Sequence, residues 1–265
     1  MKKEKKVFGT AEWATKTVNI INGCSHNCKY CYAKAMAIRF KRKTIENWQI
    51  EEVNLEKFKM KRGKTDGLVM FPSTHDITPT NISYSTEVLK NLIDAGNKVL
   101  IVTKPHFEVV KEICEKFQSN KESILFRFTI GSTDSETLKF WEVDAPDYNE
   151  RKSCLVYAFN QGFSTSVSCE PMLDVKTSKL VNELLPFVTD AIWIGKPNRL
   201  LSRLKFNGEN DEETLSRANK LIALQSDEYI ISLYESFKDC KKVKWKESIK
   251  KIVDIEIPTT RGLDI

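Results

Sequence analysis

Gly23-Cys24-Ser25-His26-Asn27-Cys28-Lys29-Tyr30-Cys31-Tyr32 is the stretch on which the reading of this chain turns. It follows directly on residues 17–22, Thr-Val-Asn-Ile-Ile-Asn, a run of strand character. Three thiols spaced Cys-x3-Cys-x2-Cys on one loop can converge on a single metal centre. A tetrahedral zinc site needs a fourth ligand, and His26 lies inside the loop, badly placed to bind the same ion as both flanking cysteines. A four-iron cluster on three cysteines leaves one iron open, which is what a reacting cofactor requires. The cluster is the stronger reading of Cys24, Cys28 and Cys31, and zinc is its alternative. The chain has seven cysteines, an odd number with three of them within eight residues, which disfavours a disulfide framework.

Outward from that loop, apolar runs rich in Val, Ile and Phe recur at 67–72, 98–103, 124–130, 163–169 and 191–195. Helical patterns lie between them at 32–42, 84–96, 107–118, 148–161 and 177–187, each long enough for a crossover between parallel strands. Six βα units in series predict an α/β protein, a partial (β/α)6 TIM-type barrel; an open doubly wound sheet gives nearly the same string. Helices are expected at 211–225 and 228–237, followed by the basic stretch Lys241-Lys242-Val243-Lys244-Trp245-Lys246. The expected organisation is a barrel core over residues 1–199 with a helical C-terminal extension, 200–265, in the same structural unit.

A chain of 265 residues, 41% hydrophobic and 29% charged, suits one large domain. No run of eighteen apolar residues occurs, and Met-Lys-Lys-Glu-Lys-Lys opens the chain with no apolar segment behind it, so neither a membrane span nor a secretory signal is expected. The expected location is cytoplasmic. Lys and Arg exceed Asp and Glu by 42 to 36, a surplus dispersed along the chain that permits a polyanionic substrate without indicating one.

The cysteine motif, placed on a loop after the first strand and with an aromatic residue before its third cysteine, resembles that of the radical S-adenosylmethionine (SAM) superfamily. The resemblance implies a [4Fe-4S] cluster on Cys24, Cys28 and Cys31, with SAM chelating the unique iron. It further implies reductive cleavage of SAM to a 5′-deoxyadenosyl radical for hydrogen abstraction, an electron donor such as flavodoxin or ferredoxin, and Tyr30 close to the adenine. The runs Val102-Thr103-Lys104, Phe126-Arg127-Phe128-Thr129-Ile130, Ala145 to Arg151 and Glu170-Pro171 are similar to the spore photoproduct lyase-like branch. Ser168 to Leu173 and Trp193-Ile194-Gly195 are also similar to phage-associated radical SAM proteins of unknown function. On that pattern Lys104 and Thr129 match positions that contact SAM, and Asp76 falls near its methionine end. That branch carries a hydrogen-donating cysteine after its second strand, whereas residues 71–79 hold none.

Polar residues at the ends of successive strands, Asp76, Lys104, Thr129, Glu170, Lys196 and Asn198, would meet at one rim of a barrel, the face where barrel active sites are built. Each taken singly is equally a solvated strand end. At that rim Lys104 can pair with the SAM carboxylate, Glu170 or Asp76 can accept from its ammonium or ribose hydroxyls, and Thr129 can bond either. In the run from Ser164 to Glu170, Ser164, Ser166, Ser168 and Glu170 share one face, too polar for a dry interior unless it holds a ligand or edges solvent. Two catalytic candidates follow: His75, a proton donor or substrate contact if not simply a hydrogen-bonded loop residue, and Cys169, a hydrogen donor to a substrate radical although it points away from Glu170. The run 241–251 with Trp245 reads as a solvated helix face, or as a nucleic-acid contact in which the indole stacks on a base. Two functional alternatives accordingly stand beside the radical SAM reading: nucleic-acid lesion repair of the lyase type, and a zinc-dependent nucleic-acid-binding module.

Overall fold

Strand and helix alternate along residues 6–263, which the computed structural model describes. The first part holds β1 (Lys16–Thr17), β2 (Ile21–Asn22), α1 (Tyr32–Arg39), β3 (Glu52–Val53), α2 (Leu55–Lys59), β4 (Leu68–Met70) and α3 (Ile82–Asp94). β5 (Lys98–Thr103), α4 (Phe107–Lys116), β6 (Ile124–Thr129), α5 (Ser135–Trp141), α6 (Tyr148–Asn160), β7 (Ser164–Cys169) and α7 (Thr177–Leu184) follow. The chain ends in β8 (Ile192–Ile194), α8 (Leu200–Asn207), α9 (Glu212–Leu224), α10 (Asp227–Phe237), β9 (Val243–Trp245) and α11 (Glu247–Lys250). Helix starts are set by local chemistry: Asp134, Asp147, Asp211 and Ser226 each accept from the amide three residues on, satisfying a donor that the helix cannot.

Seven strands form one parallel sheet in the order β1-β4-β5-β6-β7-β8-β9. Spatial order follows chain order with no reversal, so there is no switch point and the doubly wound alternative is excluded. Side-chain alternation then gives each face a different task. Val99, Ile101, Phe126, Phe128, Val167, Ile192 and Ile194 pack outward against the helices, with Leu89 and Leu92 of α3 and Val110 and Ile113 of α4 in the same core. Met70, Leu100 and Trp193 turn inward with Trp13, and this contact between strands far apart in the sheet means that the sheet curls into a partial barrel.

The inner floor is not apolar throughout. Arg127 is fully buried with its guanidinium 4.9 Å from the Trp13 ring and 5.6 Å from that of Trp193, and it donates to Ser166 Oγ (2.9 Å) and Asp190 Oδ2 (2.9 Å). The serine face of β7 is therefore satisfied from within at Ser166, rather than by solvent.

Three expectations are corrected. The run 17–22 is not one strand: β1 joins the sheet, the chain leaves it, and β2 pairs antiparallel with β3. The basic run is not a solvated helix face; its residues 243–245 are β9, the seventh strand, parallel to β8. Val243 and Trp245 enter the outer core, while Lys244 and Lys246 lie over the indoles of Trp193 (5.6 Å) and Trp13 (4.3 Å). The strand also removes Trp245 from any base-stacking role, since it is 6% exposed and packs edge-on to Tyr234.

Candidate active site

Cys24, Cys28 and Cys31 are carried by the loop between β2 and α1. Gly23 has φ +95°, and a Cβ there would lie 2.3 Å from the Ile50 carbonyl oxygen, so only glycine lets the loop press against the 48–50 segment. The Cys24 amide donates to the Trp48 carbonyl (3.0 Å). Cys31 caps α1, its sulfur accepting from Lys34 N at 3.4 Å. From the far end of the chain, Asn207 Nδ2 donates to the carbonyls of Lys29 (2.7 Å) and Cys31 (3.0 Å), so α8 braces the same loop.

The three cysteines are not in disulfides, and all face one cavity of about 730 Å³. Its opposite wall comes from the C-terminal ends of the strands: Asp76, Lys104, Thr129, Ser168, Glu170, Lys196 and Asn198 line it, together with Tyr30 and His75. The strand-end residues named from the sequence therefore do meet at one rim.

Asp76 sits at the centre of that rim, engaged on every side. Its Oδ1 accepts from the Lys104 amide (2.7 Å) and Thr103 Oγ1 (3.0 Å), while Oδ2 lies 3.0 Å from His26 Nδ1 and 3.7 Å from Lys104 Nζ. Burial alone would raise its carboxyl, but Lys104 and His26 outweigh it and hold Asp76 well below the usual carboxylate range. Burial likewise works against the Lys104 ammonium, and Asp76 with Cys28, Tyr30 and Glu142 keeps it raised.

Tyr30 is fixed by a buried pair that the sequence did not advertise. Its hydroxyl donates to Glu142 Oε1, and Glu142 Oε2 lies 2.6 Å from Arg151 Nη1, both carboxylate and guanidinium fully buried. Arg151 also donates to the carbonyls of Thr129 (3.0 Å) and Pro146 (2.7 Å), tying β6 to the wall behind Tyr30.

Of the two catalytic candidates, His75 lines the cavity but spends both ring nitrogens on backbone: Nε2 accepts from Ile20 N (3.4 Å) and Nδ1 lies 3.1 Å from the Asp76 carbonyl. Cys169 is turned into the outer core, fully buried, with Sγ 3.9 Å from the Gly131 carbonyl, and it does not reach the cavity wall. Glu170 does reach it, and its carboxylate is 3.6 Å from Lys246 Nζ, which also pairs with Glu12 at 2.8 Å. Gly195 makes that approach possible, since a Cβ there would lie 2.9 Å from Lys246 and 3.0 Å from Glu170. Burial raises the Glu170 carboxyl, with Lys246 opposing.

Sequence reading missed Glu12, Lys246, Glu142, Tyr32, Arg199 and Arg203. Glu12, Lys246, Glu142, Tyr32 and Arg203 meet their partners elsewhere in the chain, and Arg199 reaches the cavity only through the fold, so no local pattern marks any of them.

The donor set suits a metal cluster. Burial raises all three thiols, Asp76 adds to the effect on Cys24, and Lys104 opposes it at Cys28 without overcoming it, so thiolates there call for the positive charge that a metal centre brings. Cys24 Sγ, a ring nitrogen of His26 and a carboxylate oxygen of Asp76 lie within 4.8 Å of one another, yet His26 has Nδ1 on Asp76 and Nε2 on His106 (2.8 Å). Both ring nitrogens are thus occupied, which weakens the zinc alternative.

A parallel partial barrel whose strand-end rim is polar places this cavity where α/β barrel enzymes build their active sites. The chain belongs to the radical SAM superfamily, whose family model matches residues 18–180. It is an enzyme of that superfamily. A search of curated proteins finds no match. Among solved structures, a spore photoproduct lyase with bound AdoMet and dinucleoside spore photoproduct superposes with TM-score 0.54 at 14% identity, over 80% of this chain and 65% of that one. Another lyase structure, with the dinucleoside photoproduct, gives 0.56 at 13%, over 92% and 79%. SuiB of Streptococcus suis bound to its precursor peptide SuiA gives 0.55 at 13%, over 94% of this chain and 54% of that one. The chain thus spans about two thirds of the first of these and about half of SuiB, and at these identities the likeness is one of fold.

Proposed function

We propose that Cys24, Cys28 and Cys31 hold a [4Fe-4S] cluster and that the rim binds SAM. The observation that carries this is the convergence of all three cysteines with Tyr30, Asp76, Lys104, Thr129 and Glu170 on one cavity. Bound there, the cluster would supply the electron that splits SAM into methionine and a 5′-deoxyadenosyl radical, which takes a hydrogen atom from the substrate. Lys104, held by Asp76, offers a cation to the SAM carboxylate. Tyr30, pinned through Glu142, offers its ring to the adenine, and Thr129 and Glu170 offer acceptors to ribose or ammonium. Electrons come from a donor of the flavodoxin or ferredoxin type.

Residues 1–199 and 200–265 act as one unit in this reading: β9 completes the sheet, Lys246 reaches Glu170, and Asn207 holds the cysteine loop. Lesion repair of the lyase type is disfavoured, because the segment 71–79 that lines the cavity through His75 and Asp76 contains no cysteine to return a hydrogen atom.

Anaerobic reconstitution with iron and sulfide tests the proposal. A brown protein that slowly forms 5′-deoxyadenosine from SAM after reduction is expected; a colourless protein with stoichiometric zinc would instead establish the zinc-binding module.

A further inference from the structure

The cavity has a second, cationic wall that the SAM assignment leaves unused. Lys196, Arg199, Arg203 and Lys251 line it from the C-terminal part of the chain, against Glu170 and Glu247 on the same side. Those two acids are engaged: Glu170 faces Lys246 at 3.6 Å, and Glu247 accepts from Asn198 Nδ2 at 2.9 Å. Among the described residues, the Lys196 ammonium pairs only with Asp227, at 3.9 Å. Among the described residues, the guanidiniums of Arg199 and Arg203 have neither a hydrogen bond nor an ion pair.

Arg203 is half-buried, with its guanidinium 5.8 Å from the ring of Tyr32, the residue that follows Cys31. Tyr32 in turn is pinned by its hydroxyl to the Ser73 carbonyl. Burial works against the Arg203 cation, and Glu170, the carboxylate that acts on it, is shared with Lys246, so this wall keeps a surplus of positive charge for a ligand anion to meet. Arg199, four residues earlier, is the N-cap residue of α8, and its side chain lines the same cavity. Its backbone is left-handed, φ +53° and ψ +38°, a conformation disfavoured for a non-glycine residue and found where function requires it.

From these observations we infer that Arg199 and Arg203, on the cavity wall beside Tyr32, form a clamp for a phosphate monoester carried by the substrate. Two planar forks offer more donors than one carboxylate can accept, and their two charges match a phosphate dianion better than a singly charged phosphodiester. This deepens the proposed radical SAM function and rests on it, because it assigns the substrate end of the same cavity.

Equilibrium dialysis of the reconstituted, SAM-loaded protein against labelled inorganic phosphate, glycerol 3-phosphate, a dinucleoside monophosphate and succinate tests it. Saturable binding of phosphate and glycerol 3-phosphate is expected, weakened at least about tenfold in Arg199→Ala/Arg203→Ala, as for loss of charge-assisted bonds. The variant Arg199→Lys/Arg203→Lys, which keeps charge and loses the forks, should fall between. Iron content and SAM affinity, measured on the same samples, should be those of the unsubstituted protein. Absence of saturable phosphate binding, preference for succinate or the diester, or unchanged binding in the double Ala variant would overturn the clamp. Loss of SAM affinity in the Arg variants would also overturn it by moving both residues into the SAM site. Failure of the unsubstituted protein to take up iron or bind SAM would instead be the failure of the parent reading.

Discussion

Cys24, Cys28 and Cys31 lie on one loop, so their convergence could be read from spacing alone, and replacing any of them by Ala should remove most iron and all SAM cleavage. Cys114, packed in the outer core at 1% exposure, serves as the control: its Ala variant should keep its iron, measured by colorimetric assay on reconstituted protein. Full iron in the triple Cys variant would end the cluster reading. The Lys104–Asp76 pair shows the limit of local reading. Both residues were named as strand ends, but 28 positions separate them, and only the fold shows that the Lys104 amide and ammonium both address one carboxylate. Lys104→Ala should weaken SAM binding by about tenfold to a hundredfold, from the ~1.5–3 kcal/mol of a hydrogen bond to a charged group, and Lys104→Arg by less. Isothermal titration would measure both, and equal affinity in the Ala variant would place Lys104 outside the SAM site.

β9 was hidden at the scale of the element because its period-two pattern, Val243 and Trp245 to one side and Lys244 and Lys246 to the other, is written in lysines that look solvated. Tertiary packing supplies what the run lacked: indoles for the lysine stems and Glu12 for the Lys246 ammonium. Replacing Lys246 by Met should destabilise the fold, because Glu12 loses its buried cation and must take up a proton to stay buried, and adding Glu12→Gln should recover much of that. Burial raises the Glu12 carboxyl to about 7 against Lys246, with Glu247 adding to the rise. The folded state therefore binds more protons than the unfolded one between the ordinary carboxyl range near 4.5 and about 7. This group's contribution to stability is full below that window and is lost as pH rises through it. Urea unfolding at pH 5 and pH 7 should show that decline in the unsubstituted protein and a shallower one in Glu12→Gln, with Lys246, Glu247 and Lys250 as the charged neighbours. Equal pH slopes would remove Glu12 from this account.

For the whole molecule, the surplus of 42 Lys and Arg over 36 Asp and Glu raised the question of a polyanionic partner. The fold answers for the most basic run: Lys246 and Lys250 are buried, and Lys242 donates to the Val188 carbonyl at 2.7 Å. Binding to duplex DNA, single-stranded DNA or RNA should accordingly be weak, with a shallow dependence on salt. A mobility-shift titration showing tight binding and a log–log slope of several units, at about 0.9 per duplex phosphate neutralised, would reverse this. By itself the sequence determined the α/β class, the βα periodicity and the cysteine ligand loop, because each is written in contacts between residues near in the chain. It also marked the strand ends whose polar residues share the rim. Only the tertiary structure decided that strand order follows chain order, that the tail closes the sheet, that Cys169 faces the core, and that Glu142, Arg151, Glu12 and Lys246 support the site. Those outcomes depend on charges and rings brought together across more than a hundred residues in most cases, where burial, not spacing, selects the partner.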